Sequence, residues 1–429
     1  MAARPVVSVV TPSLNQGRFI RATIESVLSQ DYPNLEYIVV DGGSIDETAA
    51  IVREYGDRVR FVSRPDSGQS QAINDGFRMA KGSVLAWLNS DDVFLPGAVD
   101  AAVRAIKGNP DAGMVYGDGY TIDTDGNATG RFPHTREPDL WRLVYLSDYI
   151  LQQSVFFRRD ALDDVGYPDE TLHYAMDWDL FIRIGLKYRL AYLPQCLGCI
   201  REYPATKSSC GGAKRARELH AMLRKHTGHA MPPGSIVYGL DTYSALACQA
   251  IRQRTPRLAK PVGTALEHAV HFVLGNVIGR TIYHSQGLYS DGWAGKTLLY
   301  MLRSGCRSVA IEGSVPEHMP QLHGQALLVE CNGRRLGRYA VPAGNFRVEF
   351  DIPAELAGQP LRLRIFARRS VSTSPVPWKI ERRRLAFLLS AVHGIGNQPA
   401  AVGAADQCEI GTWPATSIPN PSSATILRG

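Results

Sequence analysis

Hydrophobic and polar positions follow two different periods along this 429-residue chain. Over the first 120 residues, short β-branched runs alternate with amphipathic helical patterns. Val6–Val10 reads as a strand closing in the polar turn Thr11-Pro12-Ser13-Leu14-Asn15. A helix pattern follows, with Phe19, Ile20, Ile24, Val27 and Leu28 near one face. Leu35–Val40 predicts a second strand ending at Asp41-Gly42-Gly43-Ser44, with Asp46 placed to cap a helix through Arg53. Arg60–Ser63 predicts a third strand and Gln69–Lys81 a helix closed by Gly82. Ser83–Leu88 is a nearly all-apolar fourth strand running into Asn89-Ser90-Asp91-Asp92. Strands alternating with helices need crossover connections, which predicts an α/β fold with a doubly wound, mostly parallel sheet. Ligands of such sheets bind beyond the carboxyl ends of the strands. Residues 11–15, 41–44, 64–69 and 89–92 all fall there, so four polar loops converge on one edge.

Residues 138–200 continue with helices and short strands, including a helix over Met176–Lys187. From 213 to 284 the pattern is helical and basic. After Asp291-Gly292-Trp293 the period becomes two. Ser308–Glu312, Ala326–Glu330, Phe346–Asp351, Leu361–Phe366 and Leu385–Leu389 read as strands, and Asn332-Gly333 is a hairpin signal. These patterns predict an α/β domain over 1–212, a basic helical linker over 213–284, and a β-sandwich over 285–395. The stretch 396–429, rich in Pro, Ser, Ala and Gly, is expected to be disordered.

Composition adds little until it is divided. The net charge of +6 conceals 19 Lys and Arg against 27 Asp and Glu in residues 1–200, a balance of −8. Residues 201–429 carry 28 against 14, a balance of +14. The apolar runs are too short for a membrane-spanning helix, and the start of the chain does not read as a secretory signal. All seven Cys fall after residue 195 without a disulfide framework, so a reducing, cytoplasmic location is expected.

Among candidate chemical groups, Asp91 and Asp92 stand out. Two adjacent carboxylates at the exit of a buried strand are costly without a cation, and Mg²⁺ or Mn²⁺ suits such oxygen ligands. A capping role for Asp92 is the plain alternative. Asp41, followed by glycines that permit close approach, can read an N–H or a ribose hydroxyl, or can simply form a turn. Arg64 offers a guanidinium to phosphate or to a surface ion pair. Asp177 and Asp179 point about 200° apart on a helix, so one caps and the other is free as a general base. Cys196, Cys199 and Cys210 lack a fourth ligand at zinc spacing and read as small buried side chains. Tyr339, Phe346 and Phe350 read as core. The absence of phosphate-loop and dinucleotide fingerprints argues against an ATPase or a dehydrogenase.

Four segments resemble, in order, a family-2 glycosyltransferase with the GT-A fold: VVSVVTPSLNQGRFIRATIESVLSQDYPNLEYIVVDGGSIDET, RPDSGQSQAINDGFRMAKG, VLAWLNSDDVFLPGAV and QQSVFFRRDALDDVGYPDETLHYAMDWDLFIRIG. They span residues 5–200. The resemblance implies an inverting, metal-dependent transferase that uses a nucleotide-diphospho-sugar, with a UDP-sugar the first choice, and a glycan or lipid-linked acceptor. It implies Asp177 as catalytic base and Asp91 with Asp92 at Mg²⁺ or Mn²⁺. The donor pocket implied comprises Thr11, Pro12, Ser13, Asn15, Asp41, Gly43, Ser44, Arg64, Gln69, Asn74, Asn89 and Ser90. Gln153 and Trp178 are expected on the acceptor side. Asn89 stands where the family has the first carboxylate of its Asp-x-Asp motif. Met176 replaces the Glu before the base, removing a like charge that would raise the base's pKa. Both variants look familiar in bacterial members. The absence of Gln-x-x-Arg-Trp argues against a processive synthase. The β-sandwich resembles an accessory domain of such bacterial transferases.

Two other readings compete: a catalytically degenerate carbohydrate-binding or scaffolding protein, and a nucleotidyltransferase, which the lack of a Gly-rich, Arg-containing first loop disfavours. The basic half suggests peripheral contact with an anionic membrane on its inner face, or with an acidic glycan carrier, rather than nucleic acid.

Overall fold

A computed structural model of the protein describes residues 4–254, 288, 293–356, 358–372 and 384–396. The chain divides into two compact units, Met1–Leu246 and Ala247–Gly429.

In the first unit, β1 (Val7–Ser13) is buried along its whole length because strands pair on both its sides. Its apolar run needs no alternation when both faces are covered. α1 (Gly17–Leu28) lays Phe19, Ile20, Ile24 and Val27 into the core, each aliphatic side chain contributing about 1.5–3 kcal/mol of burial. β2 (Leu35–Asp41), α2 (Thr48–Arg53), β3 (Arg60–Ser63), α3 (Gln69–Met79) and β4 (Val84–Trp87) follow. Asp46 accepts the amide hydrogens of both Thr48 and Gly17, at 3.0 and 2.9 Å, so it secures the starts of two helices. α3 sits close on β1 at Gly76, where a Cβ would lie 2.3 Å from a Val10 methyl.

Beyond β5 (Val93–Phe94) and α4 (Ala98–Gly108) run two long strands, β6 (Ala112–Ile122) and, after β7 (Ala128–Arg131), α5 (Leu140–Tyr145), β8 (Phe156–Arg158), α6 (Arg159–Val165) and α7 (Met176–Lys187), β9 (Arg189–Arg201). The strand order is β3-β2-β1-β4-β8-β6-β9-β5, with β7 on β6. The sheet is parallel from β3 to β4 and mixed beyond. The chain steps outward from β1 to β3, then crosses back to β4. That places a topological switch point between the ends of β1 and β4, where a ligand crevice opens.

α8 (Lys207–Cys210), α9 (Gly212–Thr227) and α10 (Pro233–Arg254) follow. The first part of the expected 213–284 linker therefore packs with the first unit: His226 on α9 meets Asp179 on α7 at 2.7 Å. Residues 255–284 lie outside the described residues. No helix among the described residues is long and apolar enough to cross a membrane.

The second unit contains two four-stranded antiparallel sheets. One is ordered β10-β19-β12-β15, the other β11-β16-β13-β14. Their ranges are β10 Trp293–Ala294, β11 Thr297–Leu302, β12 Cys306–Val315, β13 Gln325–Cys331, β14 Arg334–Val341, β15 Gly344–Asp351, β16 Leu361–Ala367 and β19 Phe387–Gly396, with β17 (Val371–Ser372) and β18 (Arg384–Leu385) forming a short ribbon. Asn332 and Gly333 turn the β13–β14 hairpin with φ of 49° and 83°, the left-handed values a two-residue turn demands. Tyr339 packs on Phe350 and Phe346 on Phe387, within the core between the sheets. Asp291 and Gly292, and residues 397–429 of the expected tail, lie outside the described residues.

Candidate active site

The loop after β2 is organised by Asp41, which is fully buried. Its Oδ2 accepts from the amides of Gly43 and Ser44 and from the Ser63 hydroxyl, at 3.2, 3.0 and 2.6 Å. Its Oδ1 accepts from the Ser44 hydroxyl. Four donors from the chain itself thus engage this carboxylate and fix the loop after β2. Gly43 takes φ of 87°, which a side chain would strain. Asn15, also left-handed at φ 51°, ties the loop after β1 to this one: its amide donates to Ser44 Oγ and its Oδ1 accepts from Ile45. Thr11 Oγ1 lies 3.0 Å from the Tyr37 hydroxyl. Ser13, next to Pro12 at the end of β1, is 5% exposed and its hydroxyl has no hydrogen-bond partner among the described residues. A buried polar atom left open at a switch point is what a ligand would satisfy.

After β4, the Asn89–Asp92 turn is held by a polar network. Asp92 is 2% exposed. Its Oδ1 accepts from the Arg201 amide at 2.8 Å, and its Oδ2 from Asn89 and Gln153 side-chain amides at 3.1 and 2.6 Å. Burial, reinforced by the Asp91 charge, nevertheless pushes its pKa up to about 8. Thr23 on α1 fixes the turn by donating to the carbonyls of Ser90 and Asp92. Asp91 stands further out. One carboxylate oxygen accepts from the Tyr203 hydroxyl at 3.0 Å, and no other side chain among the described residues hydrogen-bonds to that carboxylate, while Arg201 Nε donates to the Asp91 carbonyl at 2.7 Å. Burial raises its pKa, with Tyr203 and Arg201 opposing.

No three His, Cys, Asp or Glu side chains gather into a metal cluster among the described residues. The donor set still fits Mg²⁺ or Mn²⁺. Such ions keep most of their shell for water and phosphate and take one or two carboxylates from the protein. Asp91 has an oxygen open for that purpose, while Asp92 is bound by three donors behind it.

Gln69 extends the network toward α7. Its amide donates to Asn89 Oδ1 and its carbonyl accepts from Lys207 Nζ, both at 2.7 Å. Lys207 in turn faces Asp177, whose charge opposes the burial that lowers the lysine's pKa. Asp177 sits in the first turn of α7 with its Oδ1 on the Trp178 amide at 2.8 Å. Burial raises its pKa, against that hydrogen bond and the charges of Lys207 and Arg215. Asp179 points elsewhere: it is fully buried and bonds Arg183 and His226, both at 2.7 Å. Of the two aspartates, 179 is held by side chains of α7 and α9, whereas 177 accepts from the Trp178 amide.

Three expected site residues have other duties. Trp178, expected beside the acceptor, is 2% exposed; it donates to the Leu143 carbonyl and packs on Tyr238 at 5.4 Å. One helical step from Asp177 turns it about 100° into the core. Arg64 pairs with Asp75 at 2.7 Å on the surface. Asn74 spends its amide hydrogens on the Pro168 carbonyl and Glu170. Gln153 is buried, and its side-chain oxygen has no hydrogen-bond partner among the described residues.

Sequence reasoning missed Asp148, Tyr203, Lys207 and Glu218. Burial, with the charge of Asp177 added, holds the Asp148 carboxyl far above the usual range. Glu218 Oε1 accepts the amides of His173, Tyr174 and Ala175. None of the four lies in a compact motif, and each comes from a separate stretch that only the fold brings near.

Residues 8–166 match the model of glycosyl transferase family 2. A PGL/p-HBAD biosynthesis glycosyltransferase of Mycobacterium bovis is 31% identical over 186 residues, covering 42% of this chain and 70% of that protein. The chain belongs to glycosyl transferase family 2. A glycosyltransferase of Rickettsia bellii is 32% identical over 192 residues, and the family-2 chain covers 42% of itself but only 27% of that relative's length. Among solved structures, S. aureus TarS 1-349 in complex with UDP-GlcNAc aligns over 65% of the chain and 87% of its own, with TM-score 0.44 and 16% identity.

Proposed function

We propose that this family-2 protein is an inverting glycosyltransferase that moves a sugar from a nucleotide-diphospho-sugar to a glycan or lipid-linked hydroxyl. The observation that carries the reading is the linkage Asp92–Asn89–Gln69–Lys207 beside Asp177, which joins the β4 turn to the start of α7. Asp177, half-buried and with raised affinity for a proton, takes the proton of the acceptor hydroxyl as it attacks the anomeric carbon. A single displacement, with no covalent nucleophile, inverts that carbon. The loops after β1 and β2 hold the nucleoside, with Ser13 Oγ and Gln153 Oε1 as open polar atoms for the donor. Asp91 would hold Mg²⁺ or Mn²⁺, which supplies Lewis-acid stabilisation of the leaving diphosphate when bound. Lys207 places an ammonium group on the same side of the crevice.

A UDP-sugar is the first donor to test. The reading extends to a cytoplasmic setting, with an anionic membrane face or acidic glycan as counterpart of the +14 half. A thermal-shift screen of UDP-, GDP- and dTDP-sugars with Mn²⁺, followed by product analysis for the anomeric configuration, tests it. Retention of configuration, or stabilisation by no nucleotide sugar, would overturn it.

A further inference from the structure

The two faces of the β11-β16-β13-β14 sheet differ sharply. Leu327, Val329, Leu363 and Ile365 point into the core, as the period of two requires. The register places Arg338, Leu328, Phe366 and Thr297 in one row across the opposite face. The adjacent row runs Arg335, Glu330, Arg364 and Leu299. On the other flank the backbone of Arg368 bonds the Ala326 carbonyl at 2.9 Å. Leu328 and Phe366 are half-buried, while Arg335, Arg338, Arg364 and Arg368 are exposed. The result is a hollow of about 320 Å³ with Ala326, Leu328 and Phe366 as its floor and Arg335, Arg338 and Arg368 at its rim. None of these three arginines forms an ion pair with the described residues. The Arg364 guanidinium lies over the Phe366 ring at 4.7 Å.

We propose that this hollow is a binding site for an anionic saccharide, a sugar unit bearing a carboxylate or phosphate. The planar fork of each rim guanidinium matches the two oxygens of such a group. The recessed floor offers the C–H face of a sugar ring an apolar and partly aromatic surface. A membrane is the poorer counterpart. Its binding calls for apolar side chains that protrude into the acyl boundary, whereas Leu328 and Phe366 lie below the arginines. The site does not depend on the transferase reading, since binding is measured without turnover.

The test is calorimetric titration of the full chain with oligogalacturonate, with a phosphate-bearing oligosaccharide, with neutral dextran, and with phosphatidylcholine vesicles carrying about a quarter phosphatidylglycerol. Binding of either anionic saccharide but not dextran is expected, weakening with salt. Arg338→Ala with Arg368→Ala, and separately Phe366→Ala, should each weaken it about tenfold or more. Arg347→Ala, which removes one charge from the other sheet, should leave it unchanged, and melting curves confirm that each variant is folded. The carboxylate and phosphate arms decide which group the rim prefers. Binding of vesicles but neither saccharide would overturn the proposal. So would equal losses in the Arg347 and Arg338/Arg368 variants, or indifference to Phe366→Ala.

Discussion

The Glu218 carboxylate accepts the amide hydrogen of Ala175 at 2.9 Å, two residues before Asp177. The same oxygen takes the amides of His173 and Tyr174 at 2.9 and 2.5 Å. One side chain of α9 therefore satisfies three donors at the entry to α7, where a helix leaves its first amides unpaired. Glu218→Ala should destabilise the fold by about 1–3 kcal/mol and lower kcat more than it raises the donor KM, because the base is what moves. Glu218→Gln keeps an acceptor oxygen and should recover most of both. Equal kcat in the alanine variant and the wild type would show that the clamp does not position Asp177.

Asp177 and Asp148 are two half-buried carboxylates, and desolvation raises the pKa of both. Burial raises the Asp148 pKa, and the charge of Asp177 adds to that rise. Asp177→Asn should cost on the order of 10²–10⁴-fold in turnover with nucleotide binding intact. Asp148→Asn, which imitates the protonated acid, should cost only a few-fold. The wild-type rate should rise with pH through a midpoint above the ordinary aspartate value, because burial raises Asp177. The reverse ranking of the two variants would move the base to Asp148.

The α/β half of the fold was legible because its core strands are covered on both faces and write mostly apolar runs, as at Val7–Val10, broken only by Ser8, and Val84–Trp87. β6 and β9 were missed as long strands. Gly113, Gly117 and Gly119 interrupt the pattern where a Cβ would strike the neighbouring chain, and register shifts break their pairing. β14 was hidden by its arginines, since only its inward face carries a signal. In the site, local turns such as 41–44 could be read, because their residues make their own hydrogen bonds. The division of labour between Asp91 and Asp92 could not, since it depends on Arg201 and Tyr203, more than a hundred residues away.

That division gives the two neighbours opposite phenotypes. Asp91→Ala removes a carboxylate with an open oxygen, so the fold should survive and the Mn²⁺ dependence of nucleotide binding should vanish in titrations with and without the ion. Asp92→Ala strips the acceptor from Arg201, Asn89 and Gln153. About 1–3 kcal/mol of stability should go for each donor left dry. If Asp91→Ala bound nucleotide with unchanged metal dependence, the cation would belong elsewhere.

Asp179 predicts a stability effect at low pH. Burial by itself would raise its pKa, but the hydrogen bond from His226 and the charge and hydrogen bond of Arg183 prevail and bring it to about 2. The folded value lies below the unfolded one, so acid favours the unfolded chain, which binds the proton more readily. The contribution is complete above the ordinary carboxylate value of 3.8 and fades as pH falls through about 2. The shift corresponds to stabilisation on the order of 2 kcal/mol. Asp179→Asn lacks this ionic contribution at every pH. Urea midpoints should therefore separate wild type from the variant at about pH 5 and converge toward about pH 2. A gap that stays constant over that range would show that the Asp179 contacts with His226 and Arg183 stabilise the α7–α9 pair without drawing on the carboxylate charge.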